Sequence, residues 1–243
     1  KVYNWADYID EDLLDEFEQW YAEETGEKVE IIYQTFDINE TMLSKIELGH
    51  EDYDVVCPSE YIIERMLMND LLLPLDKDFG DTPNYIDNVS PYIIEKFNQI
   101  DGYGKNANDY SVGYMWGTVG LLYDPDVFSD ELVSSWDIMW NKEYENLATT
   151  KDSVRDTYFV GVMHVYQEEL QELRNQYQKG TITREYYNQQ VNIIMNRTDE
   201  ETLRLVEHDL KIMKENIFGL EVDSGKSDMV TGKISMNLAW SGD

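Results

Sequence analysis

Cationic side chains are scarce in this sequence: 19 Lys and Arg stand against 50 Asp and Glu, a formal net charge of -31. A surface that neutralises nucleic-acid phosphates needs the opposite balance, so the composition argues against nucleic-acid binding. A field of this sign repels anions and draws cations. Cysteine occurs once, at Cys57, which removes an internal disulfide and a thiolate metal site. The three histidines, His50, His164 and His208, fall in no ligand spacing, so neither a metal nor a cofactor is expected. No apolar run approaches the roughly 18 residues that a membrane span needs. Repeats, low-complexity tracts and flexible linkers are missing too. What remains is a globular composition, 42% hydrophobic and 13% aromatic, over 243 residues. That length allows one large domain or two modest lobes, either with a real core.

The stretch from Tyr53 to Tyr61 organises the rest. Val55, Val56 and Cys57 read as a strand covered on both faces. Pro58 cannot continue a ladder, so the strand ends there. Ser59 stands where a helix N-cap belongs, with Ile62, Ile63, Met66 and Leu67 at helical spacing behind it. Ligands of open α/β sheets bind just past such strand ends, which places Ser59 and Tyr61 toward a small ligand.

Before this stretch, Lys1 to Tyr8 is a strand running into an aromatic, acidic turn. Leu13, Leu14, Phe17, Trp20 and Tyr21 mark one helix face, closed by Gly26. Val29 to Tyr33 predicts a second strand, and Asn39-Glu40-Thr41 precedes a helix ended by Gly49. This β-α-β-α-β-α order implies a parallel, doubly wound sheet. Residues 76–115 read as irregular apart from a helix at Pro91 to Phe97. Thr118 to Tyr123 is a strand, turned by Asp124-Pro125, and Trp136 to Trp140 a short helix. Helices are then expected over Val154 to Tyr177, Arg184 to Met195 and Asp199 to Asn216, the last announced by an acidic capping signal. A short helix at Gly225 to Thr231 and a strand at Ile234 to Trp240 complete the chain. Trp20, Trp116, Trp136 and Trp140 are expected in the core, and Cys57 as a small buried apolar residue.

A first α/β lobe over 1–123 and a second over 124–243 follow, with a boundary near residues 122–126. The second has few strands, so the chain reads as the first two-thirds of something longer. The opening at Lys1, without Met, reads as a processed start and fits export.

The loops at strand ends offer Trp5, Asp7 and Tyr8, then Ser59 and Tyr61, then Asp156 at a helix start, then Trp240 and Asp243. These are aromatics and carboxylates, without an activated nucleophile or a metal cluster. The segments carrying them resemble the spermidine/putrescine-binding proteins of bacterial ABC importers. The resemblance runs in order through Tyr3-Asn4-Trp5-Ala6-Asp7-Tyr8, Asn39-Glu40-Thr41-Met42, Asp54-Val55-Val56-Cys57-Pro58-Ser59, Trp116-Gly117-Thr118, Asp152-Ser153-Val154-Arg155-Asp156 and Trp240-Ser241-Gly242-Asp243. It omits about residues 166–197, which look like a helical insertion. Six ordered segments make it specific.

The resemblance implies a two-lobed, type II periplasmic-binding-protein-like fold that closes by a hinge over a ligand in its cleft. It implies first-lobe contacts at Trp5, Asp7, Tyr8, Ser59 and Tyr61, and second-lobe contacts at Asp156, Trp240 and Asp243. It further implies a bacterial, extracytoplasmic monomer, periplasmic or lipid-anchored at the cell surface, that delivers a polyamine to a membrane ABC permease. A polyamine suits such a site: its methylene stem wants aromatic walls, and ring faces attract ammonium groups. Its charges need carboxylate partners once they leave water. Ala6 stands where the family often has Ser or Thr, and Ser153 where spermidine-type members can carry an acid, which favours a shorter diamine. The family's later contacts would lie beyond Asp243, leaving the site in this chain incomplete.

The residues leave other classes open. Asp7 and Asp156 allow a two-carboxylate glycosidase, though nothing marks either as buried enough for a raised pKa. A sensor or binder for another small solute keeps the same fold. Asp7 also reads as an N-cap for the following helix, and Asp156 as a dipole partner in its own first turn.

Overall fold

A computed structural model describes residues 1–76 and 88–242. The chain forms two compact units, Lys1–Trp116 and Gly117–Asp243. The part of the predicted irregular stretch at 77–87, and Asp243 among the candidate contacts, lie outside the described residues.

The first unit is built on a parallel three-stranded sheet. Its strands are β1 (Val2–Trp5), β2 (Tyr33–Phe36) and β3 (Val55–Val56), in the order β2-β1-β3. Val2 pairs with Tyr33 on one side and with Val55 on the other. Helices α1 (Asp12–Thr25), α2 (Asn39–Gly49) and α3 (Glu60–Met68) follow the strands in turn, as expected. Met42 and Leu43 of α2 and Ile62 and Met66 of α3 pack with Tyr3 and Phe36 of the sheet into one buried cluster. The opposite face of α3 meets a small hairpin, β4 (Asp101–Gly102) with β5 (Lys105–Asn106). Gly102 is needed there, because a Cβ would meet the Leu67 Cβ at 2.3 Å. The expected helix at Pro91–Phe97 is present as α4.

Several details differ from the sequence reading. The second strand lies at Tyr33–Phe36, not Val29 to Tyr33. The backbone before it is held from outside the sheet, where Ile31 N–H donates to the Glu18 carboxylate at 2.7 Å. Among the described residues the third strand is an edge strand, and Val55 is 56% exposed and not covered on both faces. Cys57 is half-buried. The face of α1 packs on itself: Phe17 lies against Trp20 and Tyr21 with ring centroids 5.7 and 5.9 Å away. Trp20 is therefore 47% exposed, not core, and Trp116, set against the exposed Tyr92 ring, is 75% exposed.

The second unit holds a mixed four-stranded sheet. Its strands are β6 (Val119–Tyr123), β7 (Ala148–Lys151), β8 (Gly219–Glu221) and β9 (Met236–Trp240), in the order β6-β9-β7-β8. The β6 strand runs antiparallel to β9, while β7 runs parallel to both β8 and β9. Trp136 and Trp140, on a 3-10 turn, pack against the core of Phe128, Ile138, Met139, Met236 and Leu238 as expected. The strands at Ala148–Lys151 and Gly219–Glu221 carry no strand signal in the sequence pattern. The first reads Ala-Thr-Thr-Lys, with no apolar alternation, yet all four residues are buried.

The helix expected from Val154 to Tyr177 is two helices, α5 (Val154–Val165) and α6 (Gln167–Gln178). Tyr166 breaks it with a non-helical backbone. Tertiary contacts hold that residue: its hydroxyl lies 2.7 Å from Thr202 Oγ1, and the Arg197 guanidinium sits 4.3 Å from its ring centroid. Helix α7 (Arg184–Met195) matches expectation and packs on α6. Helix α8 (Glu200–Asn216) is capped by Asp199, whose carboxylate accepts from Thr202 N–H and Oγ1. Those bonds, the side-chain one first, hold the Asp199 carboxyl below its ordinary value. A depressed carboxyl stabilises the fold above its unfolded value, and that contribution is lost as pH falls through the folded value. The melting-temperature gap between wild type and Asp199→Ala is therefore expected to close as pH is lowered through 3.8 and below. A gap independent of pH counts against the ionised cap. A short helix, α9 (Gly225–Val230), precedes β9.

Candidate functional site

The C-terminal ends of the parallel strands β1, β2 and β3 lie along one edge of the first sheet, the edge where open α/β sheets place ligands. Trp5 ends β1 and rests on Phe36 at the end of β2, with ring centroids 4.6 Å apart. The Tyr33 hydroxyl donates to the Trp5 carbonyl at 3.5 Å. Asp7 is exposed in the turn that follows, and Tyr8 is half-buried. The Tyr114 hydroxyl donates to the Tyr8 carbonyl and so holds that turn. Burial above all, with Cys57 and Tyr33 nearby, pushes the Tyr114 phenol up, which favours the protonated, donating form. Asp10, not Asp7, receives the Asp12 N–H at the start of α1, at 3.2 Å.

Ser59 and Tyr61 are brought together by a residue outside the candidate contacts. Asn39, 6% exposed at the first position of α2, donates its amide to Ser59 Oγ at 2.9 Å and to the Tyr61 hydroxyl at 3.1 Å. Its carbonyl oxygen accepts the Ser59 N–H at 3.2 Å. The Ser59 side chain therefore does not cap α3 as expected; it occupies the N-cap position with its oxygen turned to Asn39. Tyr61 in turn donates to Glu40 at 2.9 Å. Tyr61 and Trp5 both pack against the core cluster of the first unit. The only signal for Asn39 in the sequence was its place in the Asn39-Glu40-Thr41-Met42 segment. Cys57, at this same edge, has its thiol pushed up by burial, which favours the neutral form over the thiolate.

In the second unit, β7 and β9 are parallel, so their C-terminal ends share an edge. Beyond β7, Ser153 caps α5 by accepting the Asp156 N–H at 3.3 Å. That places the half-buried Asp156 in the first turn of α5, a favourable position for a negative charge. Trp240 ends β9, half-buried and paired with Val119. Ser241 closes the strand, its Oγ accepting the Thr118 N–H at 3.1 Å. Asp156 and Trp240 thus stand at one end of the second sheet. Among the described residues, no group of three His, Cys, Asp or Glu is placed to hold a metal ion. No helix among them is long and apolar enough to cross a membrane.

Each unit, then, is an α/β layer with aromatic and acidic side chains at the carboxyl ends of its strands, the architecture of a small-solute binding protein. The chain belongs to the bacterial extracellular solute-binding protein family, whose model matches residues 4–243. That family is extracytoplasmic, and so is this protein. Among its relatives, the spermidine/putrescine-binding periplasmic protein of Salmonella typhimurium is 26% identical over 241 residues, 99% of this chain and 58% of that protein. The putrescine-binding periplasmic protein SpuD of Pseudomonas aeruginosa is 33% identical over 147 residues, 58% of this chain and 36% of that protein. The solved spermidine/putrescine ABC transporter substrate-binding protein PotD of Streptococcus pneumoniae matches with a TM-score of 0.61 at 31% identity, over 99% of this chain and 62% of that one. The chain therefore spans somewhat over half the length of the curated relatives it matches along its whole length.

Proposed function

We propose that this protein captures a polyamine, putrescine or spermidine, and presents it to a membrane ABC permease. The single observation that carries this reading is the edge of the first sheet. There a Trp ring ends β1, and past β3 two hydroxyls held by one buried amide are tied to a carboxylate, on chain segments that resemble polyamine-binding proteins. The surrounding charge supports it. The first 64 residues contain no cation except Lys1, Lys28 and Lys45. Ring faces and carboxylates stabilise an elongated cation and repel anions. In this reading Trp5, Asp7, Tyr8, Ser59, Tyr61, Asp156, Trp240 and Asp243 contact the ligand, and none of them is catalytic.

Titration calorimetry of the complete protein with putrescine and with spermidine, at low and moderate salt, tests the proposal. Saturable heat with a dissociation constant of about 1 μM or tighter is expected for at least one of them. Absence of heat with both, in a folded sample, overturns it.

A further inference from the structure

The hydrogen bonds around Asn39 have only one consistent direction. A side-chain amide has one acceptor oxygen and one NH2 group. The Ser59 backbone N–H can only donate, so it fixes the Asn39 oxygen toward itself. The NH2 group must then face both hydroxyl oxygens, Ser59 Oγ and Tyr61 Oη. Each hydroxyl must spend its own proton elsewhere, and Tyr61 spends its proton on Glu40. A buried amide thus sets the polarity of a chain of bonds that ends on an exposed carboxylate.

We infer that Glu40 is a further ligand-binding residue, a carboxylate that accepts an ammonium group of the bound amine, with Asn39 and Tyr61 as its positioning residues. The inference rests on the polyamine reading and deepens it. A carboxylate accepts up to about four hydrogen bonds, so the one from Tyr61 leaves capacity for an ammonium, which only donates. An exposed Glu loses side-chain rotamer entropy when it is ordered. The bond from Tyr61 orders it beforehand, which lowers the cost of binding.

The test compares wild type, Glu40→Gln and Glu40→Asp by putrescine calorimetry, with thermal melts of each. Glutamine keeps an oxygen for the Tyr61 hydroxyl but removes the charge. Hydrogen bonds to charged groups exceed neutral ones enough that a loss of about tenfold in putrescine affinity is expected, at an unchanged melting temperature. The salt dependence of binding is expected to weaken with it, a change that a purely structural tie would not produce. Glu40→Asp keeps the charge and is expected to retain the salt dependence, which guards against a Gln variant that folds poorly. If wild type binds putrescine and Glu40→Gln binds it equally well, this inference falls while the polyamine reading stands. If wild type binds neither putrescine nor spermidine, both fall.

Discussion

Lys151→Met is expected to destabilise the second unit by about 3–5 kcal/mol, the cost of leaving one member of a buried ion pair without its partner. Lys151 ends the central strand β7, and its ammonium lies 3.0 Å from the Glu221 carboxylate at the end of β8. Both residues are buried. The ammonium also donates to the Val222 carbonyl at 3.2 Å, and the other Glu221 oxygen accepts the Gly225 N–H at 2.9 Å. Methionine preserves much of the lysine stem and removes only the charge, so the loss reads the electrostatics and not a cavity. Urea denaturation followed by circular dichroism measures it. A shift below about 1 kcal/mol, the scale of an exposed pair, shows that water reaches this one. Adding Glu221→Gln to the Lys151→Met chain is expected to recover part of the loss, since no uncompensated charge then stays buried.

Trp5→Ala is expected to weaken putrescine binding about 30-fold, the equivalent of roughly 2 kcal/mol for a desolvated cation over an indole face. Trp5→Phe, which keeps a smaller ring, should lose only part of this. Because Trp5 also packs on Phe36, the alanine variant must be shown to melt as a folded chain before its affinity is read. Binding that survives Trp5→Ala unchanged in a folded sample removes the indole from the site, whatever holds the amine instead.

How far the sequence was legible depends on the range of the interaction that decides each feature. Gly26 ends α1 with a left-handed backbone, φ 74°, as its residue type demands. Asp199 caps α8 through Thr202, three residues on. Arg184–Met195 has the bounds that its local pattern implied. The candidate contacts were legible as residue types at strand ends, together with the segments that resemble the polyamine-binding family. The Asn39 hub was not, because Asn39 precedes Ser59 by 20 positions and nothing local announces that its amide turns toward that loop.

The sequence alone determined the alternation of strands and helices in the first unit and most helix ends. Caps, turns and apolar periodicity act within about four residues along the chain. Only the tertiary structure decided that β1 lies at the centre of its sheet and β3 at the edge, and that a polar Ala-Thr-Thr-Lys segment is a buried strand. It alone decided that Tyr166 divides two helices. Those outcomes turn on which distant surface covers a residue, and on polar groups that can be buried only because partners from other segments meet them.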